Sequence, residues 1–234
     1  MKINAEFDQR IIVHSNEIDW IDSPIVGVSR RPLDRVGGEV ARATSIVRYA
    51  PGSYFSPHVH TGGEEFFVLD GVFQDEHGDF PAGSYIRNPP QSSHTPGSRD
   101  GCIIFVKLWQ FEMDDRSHVR IDTNHIEAIP HREMPGVSVT PLYKDEWEQV
   151  ELQIWEPNSV ITFQAPLGVE LLVLDGSFIE DGDHLQSGSW LRLPAGSNFF
   201  ARSENQGCRV WVKRHHLGQI DAQIMRLQNQ ISIN

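Results

Sequence analysis

The chain carries one unit twice. Residues 51–107, "PGSYFSPHVHTGGEEFFVLDGVFQDEHGDFPAGSYIRNPPQSSHTPGSRDGCIIFVK", lie over residues 157–213, "PNSVITFQAPLGVELLVLDGSFIEDGDHLQSGSWLRLPAGSNFFARSENQGCRVWVK". "FFVLDGVF" answers to "LLVLDGSF", "GSYIRNP" to "GSWLRLP" and "GCIIFVK" to "GCRVWVK". The offset is 105 at Gly71/Gly176 and 106 at Lys107/Lys213, so only small gaps are needed. A duplication constrains the fold before any local pattern does, because what one copy forms the other must form too.

Within each copy, short runs of Val, Ile, Phe, Tyr and Trp alternate with clusters of Gly, Pro, Asn and Asp. That pattern predicts an all-β sandwich or barrel, with a turn at Asp70-Gly71 and a second in "QDEHGDF". The acidic stretches 75–79 and 180–183 lack the spacing of a calcium loop and read as hairpin turns. The expected organisation is a lead-in strap over 1–39, a first unit over 40–111 and a polar connector over 112–133. A second unit follows over 134–217, then a tail over 218–234 whose "DAQIMRLQNQI" has helix-like spacing.

The chemistry concentrates in "SPHVHTGGEEFF", residues 56–67. On a strand, His58 and His60 point to the same face, and Glu64 keeps their parity beyond the Thr61-Gly62-Gly63 break. His94 follows five residues after Pro89. Three imidazoles and one carboxylate suit a divalent first-row ion. Imidazole ligands must be neutral, so binding should weaken below about pH 6. The second copy is an internal control. Opposite the two histidines lie Phe163 or Gln164 and Ala165 or Pro166, depending on where the gap falls. Opposite Glu64 lies Val169, and opposite His94 lies Phe199. Glu65 recurs as Glu170 where the ligands do not, which assigns it to the scaffold.

Other candidates read more plainly. Cys102 and Cys208 occupy the same place in both copies, as buried hydrophobes rather than redox thiols. Arg48 and Arg87 could line the first barrel and attract an anion, but Arg192 repeats Arg87, which favours a structural role. Tyr54, Phe55, Tyr85 and Trp109 are expected in core packing rather than at a pocket mouth. Arg30, Arg31 and Arg35, interrupted by Pro32 and Asp34, read as a solvated or salt-bridged surface strap. The net charge of −12 argues against nucleic-acid binding. No apolar run approaches a membrane span, no signal peptide is legible at the N-terminus, and two cysteines fit a cytoplasmic address. No nucleophile triad, phosphate loop or dinucleotide fingerprint is present.

The glycine-framed histidines and glutamate resemble the two motifs of the cupins, jelly-roll barrels that carry three histidines and a glutamate onto one interior metal. The first motif matches throughout; the second has Gln91 where glycine is usual and Ser98 where asparagine is common. The stretch "EVARATSIVRYAPGSYFSPHVHTGGEEFFVLDGVFQDEHGDFPAGSYIRNPPQSSHTPGS" further resembles the C-terminal cupin domain of ChrR-type anti-sigma factors. The resemblance implies two tandem cupin barrels and one divalent metal per chain in the first. Zinc is foremost there, with iron, manganese or nickel as alternatives. It also implies a small-molecule ligand or oxidant, a homodimer, and a role in the response to singlet oxygen or organic hydroperoxides. ChrR-type factors grip a sigma factor through an N-terminal helical domain with a His/Cys/Cys zinc site. Here neither cysteine lies within residues 1–39, so the resemblance reaches the sensory half and not the sigma-factor grip. Three functions follow from these readings: a regulatory metal cupin; a non-haem iron dioxygenase acting on a small diketone, aromatic compound or organic acid; and a scaffold with a structural metal.

Overall fold

The computed structural model describes residues 1–38 and 40–233, with side chains to residue 230. Its elements are almost all strands, as the alternation of branched and turn residues requires. Contacts divide the chain into two compact units. The first comprises Met1–Ala5, Ile18–His125 and the C-terminal residues from Asp221; the second comprises Glu6–Glu17 and Ile126–Ile220. The lead-in is thus more than a strap. It contributes strands Lys2–Ile3, Ile21–Asp22 and Val28–Gly37 to the first unit and strand Ile11–His14 to the second. The connector supplies Val119–Asp122, which pairs with Ser84–Asn88 of the first unit.

The main sheet of the first unit runs Lys2–Ile3, Val28–Gly37, Ala41–Tyr49, Cys102–Leu108, Glu64–Asp75, Ser84–Asn88, Val119–Asp122, with antiparallel pairing throughout. The second unit repeats it in Ile129–Pro130, Val137–Lys144, Gln149–Trp155, Ser197–Arg214, Val169–Glu180, Ser189–Leu193 and Ile11–His14. The hydrogen-bonded path stays open in both units, which makes each a jelly roll rather than a closed cylinder.

The strand Glu64–Asp75 decides where the site sits. Up to Gly71 it pairs with Cys102–Leu108; from Val72 onward it pairs with Gly78–Pro81 instead. Gly71 makes the change of sheet, with φ +70°, and a Cβ there would stand 2.2 Å from the Gly101 carbonyl oxygen. Gly176 does the same in the second unit at φ +71°, 2.1 Å from the Gly207 oxygen. Only glycine fits a left-handed conformation pressed against neighbouring backbone. The bend brings Phe73 back against Phe66, ring centroids 4.6 Å apart, in a core with Val68, Ile86, Ile104 and Val106. The second core is larger and includes Trp155, Phe178, Leu191, Phe199 and Val212.

Several buried polar groups are paired across the sheets. Glu65 accepts from the Tyr85 hydroxyl at 2.5 Å. Its counterpart Glu170 meets Trp190 Nε1 at 3.3 Å and His216 Nε2 at 2.9 Å, in keeping with a scaffold role for both. Helix Ile220–Ile233 joins the first unit through Gln223, which accepts from buried Arg42 at 2.9 Å, and through Arg226, which holds both Glu112 oxygens. Among the described residues no helix is long and apolar enough to cross a membrane.

Gly71→Ala is expected to destabilise the first unit by about 1–3 kcal/mol or more. The reference is Gly52→Ala, where φ is also positive at +75° but nothing lies within 4 Å of the added Cβ. Urea unfolding of the two variants compares them; equal midpoints would refute the close-approach argument.

Candidate metal centre

Two short strands, His58–His60 and Ser92–His94, pair antiparallel with His94 opposite His58. Alternation puts His58 and His60 on one face, and the register lays His94 across from them. The turn that follows depends on its glycines. A Cβ on Gly62 would stand 2.1 Å from the Trp109 ring, and one on Gly63 would stand 2.6 Å from Phe111. These two aromatics close over the turn, so Trp109 supports the site instead of lining its mouth. The chain then re-enters at Glu64 with its side chain beside the histidines.

The three imidazoles form a group that could hold a metal ion, their donor atoms lying within 4.8 Å of one another. His60 Nε2 and His94 Nε2 are 2.9 Å apart. Glu64 Oε2 is 3.4 Å from His60 Nε2 and 3.6 Å from His94 Nε2. With bonds of about 2.0–2.2 Å, neighbouring donors on one ion stand roughly 3.0–3.5 Å apart. The separations among His60, His94 and Glu64 are close to that size. His58 is exposed, while His94 is buried, so the group opens to solvent on one side.

Anchors fix the imidazole tautomers. His94 Nδ1 lies 3.3 Å from Asp75 Oδ2, and an ionised carboxylate only accepts, so the proton sits on Nδ1 and Nε2 keeps its lone pair. His58 Nδ1 lies 3.3 Å from the Ser56 carbonyl oxygen, with the same consequence. Asn88 Nδ2 donates to Glu64 Oε2 at 3.4 Å. Burial lowers the His60 pKa, with Glu64 opposing it. Burial also acts to lower His94, but its hydrogen bond to Asp75 and the charges of Glu64 and Asp75 outweigh it and leave the ring above its ordinary value. Burial likewise works to raise Asp75, and the bonds from His94 and the His77 amide hold it below the usual carboxylate range.

Asp75 and Asn88 are the functional neighbours that sequence reasoning misses. Asp75 lay in plain view within the acidic turn, where turn composition already explained it. A third feature was equally hidden. A cavity of about 150 Å³ lies inside the first unit with Glu64 in its wall, together with Arg30, Arg35, Tyr49 and aliphatic side chains. Arg48 and Arg87 are elsewhere. Arg48 is exposed, 4.4 Å over the Trp20 ring, and buried Arg87 is paired with Asp115 over the Phe111 ring.

The second unit resolves the gap in the alignment. Phe163 pairs with Phe199 as His58 pairs with His94, which puts Ala165 at the place of His60. The two rings stack with centroids 4.6 Å apart, filling the space that the imidazoles leave open in the first unit.

Two stretches, residues 8–112 and 116–218, each match the profile of the ChrR cupin-like domain. The chain belongs to that family. Its duplicated cupin organisation, expected from the internal repeat, is thereby shown. No curated protein matches the chain. Among solved structures, a candidate dioxygenase from Nostoc punctiforme aligns with a TM-score of 0.72 at 16% identity, covering 90% of this chain and 84% of that one. The Escherichia coli pirin YhhW, in complex with nickel(II), aligns at 0.63 and 12% identity, covering 88% and 98%. Bacillus subtilis oxalate decarboxylase, studied for its Mn(II) centres, aligns at 0.60 and 11% identity, covering 87% and 76%. At these identities the likeness is one of fold.

Two outcomes test this site. Asp75→Asn should weaken metal binding about 10–100-fold while the circular dichroism stays unchanged, whereas His60→Ala and Glu64→Ala should lose the metal; chelator competition measures all three. An Asp75→Asn variant with wild-type affinity would remove Asp75 from the site. The thiols make the second test. Both cysteines are free and buried, and burial pushes Cys102 up to about 11 and Cys208 up to about 12. At pH 8 the native protein should therefore leave a chromogenic disulfide unreacted until denaturant is added; prompt reaction of either thiol would revive a redox role.

Proposed function

We propose that the first unit binds one divalent ion through His58, His60, Glu64 and His94 and acts as a metal-dependent dioxygenase on a small chelating substrate. The observation that carries this reading is the cavity that shares Glu64 with the donor group. A structural metal site is closed over by its own ligands. Here one of the four donors, Glu64, borders open space, and another, His58, meets solvent. A bound iron ion would supply Lewis acidity and a one-electron couple to substrate and dioxygen.

The chain's own part is to prepare the donors and shape the space. Asp75 keeps the His94 proton on Nδ1, away from the donor nitrogen. Glu64 adds one negative charge to three neutral rings. Val47, Ile104, Val106 and Leu108 present hydrocarbon to the cavity.

A second reading has one specific support, the family match across both halves of the chain. On it, the protein is a regulatory cupin whose metal, zinc, meets an oxidant and alters a contact with a partner. Oxygen uptake separates the two. Iron-loaded protein prepared without air should consume oxygen saturably with at least one of a panel of β-diketones, aromatic ketones and small organic acids, and His60→Ala should abolish the uptake. Absence of uptake, with about one zinc per chain retained in air, would overturn the dioxygenase in favour of the regulatory cupin.

A further inference from the structure

Two arginines of the lead-in face inward. Strand Val28–Gly37 runs beside Ala41–Tyr49 with Arg30 opposite Val47 and Arg35 opposite Ala43. Five residues apart on a regular strand, the two side chains would take opposite faces. The register shifts between Pro32 and Asp34, and this bulge returns Arg35 to the face of Arg30. Both residues line the cavity that Glu64 borders. Arg30 Nη2 donates to Ser23 Oγ at 2.8 Å, and Arg35 donates to the Gly38 carbonyl. Burial, and secondly the charge of Arg30, hold the Arg35 guanidinium below its ordinary value. Two arginines on one cavity wall suit an anionic group.

The second unit tests whether the frame itself needs these arginines. The same bulge recurs there, between Pro141 and Tyr143. The place of Arg30 is taken by Val139 and that of Tyr49 by Trp155, both in the hydrophobic core. Lys144, at the place of Arg35, is exposed. The unit that lacks the histidines therefore has no arginine at either of these two places; its half-buried Arg214 stands at the place of Leu108 and pairs with Glu151 at 3.3 Å. The duplicated fold forms without arginine at the two places.

We propose that the cavity of the first unit takes a small carboxylate, with Arg30 and Arg35 receiving the carboxylate group and the aliphatic wall receiving its short carbon chain. Guanidinium matches a carboxylate with two parallel hydrogen bonds. At about 150 Å³ the space is well under the range for drug-sized ligands and admits only a short acid. Glu64 borders the same space and would repel an anion if its charge were unspent. Its Oε2 is turned to His60 and His94, where an ion would neutralise it. The orientation of the acid toward the donors rests on the metal-centre reading; the arginine contact does not.

Zinc-loaded protein, in which no redox turnover intervenes, is titrated calorimetrically with 2-oxobutanoate and with uncharged butanone. Zinc content is measured in each sample. Saturable binding of 2-oxobutanoate is expected, with butanone binding at least tenfold weaker. Arg30→Val, which carries the residue the second unit has at this place, and Arg30→Gln should each weaken 2-oxobutanoate at least tenfold while retaining zinc. No saturable binding to the wild type, equal binding of butanone, or undiminished binding by both variants would overturn the proposal. A wild type that holds no zinc would count against the metal centre alone, and the same titration criteria would then be applied to the zinc-free chain.

Discussion

One strand touches His94 at both ends. Glu64, its first residue, places Oε2 3.6 Å from His94 Nε2, and Asp75, its last, places Oδ2 3.3 Å from His94 Nδ1. Twelve residues in an extended strand span roughly 36 Å. Both ends can reach one imidazole only because the strand turns sharply at Gly71 and changes sheets. A carboxylate that faces the donor nitrogen and another that holds the proton on the opposite nitrogen thus come from a single piece of chain. The conformation of one glycine sets the distance between them.

The duplicated frame separates what the fold needs from what the site needs. Gly71 and Gly176, the bulges after Pro32 and Pro141, and the buried Glu65 and Glu170 recur in both units. His58, His60, Glu64, His94 and Arg30 do not. Their places are held by Phe163, Ala165, Val169, Phe199 and Val139, all packed in or against the second hydrophobic core. A unit with the same strands and a filled interior shows that polar residues at these positions are no condition for folding. In the first unit they replace hydrocarbon filling and turn donor atoms and charge toward the interior, where a ligand or an ion could meet them.

Much of this was legible in the sequence, and the remainder was hidden for identifiable reasons. Parity alone placed His58 and His60 on one face, and the repeat marked Gly71, where the expected turn is a bend within one strand, Glu64–Asp75. Arg30 and Arg35 were expected on a surface strap because Pro32 and Asp34 interrupt their cluster. A bulge invisible to composition restores their common face, so the expected surface strap is in part a cavity wall. Asp75 was explained away by its turn, since an acidic residue in a hairpin calls for no further account. Asn88 left no local signal, because its role comes only from lying opposite Glu64 in the sheet register.

The exchange of outer strands has a consequence for how such a chain can arise. Ile11–His14 borders Ser189–Leu193, and Val119–Asp122 borders Ser84–Asn88, with the same register relative to Arg192 and Arg87. Each repeat therefore lends its first strand to the unit built mainly by the other. A single repeat cut free would have one sheet edge uncovered and one strand with nothing to join. Two identical single repeats would satisfy each other by the same trade. The connectivity of the chain is thus that of two interlocked copies, of which only one keeps the histidines in its interior.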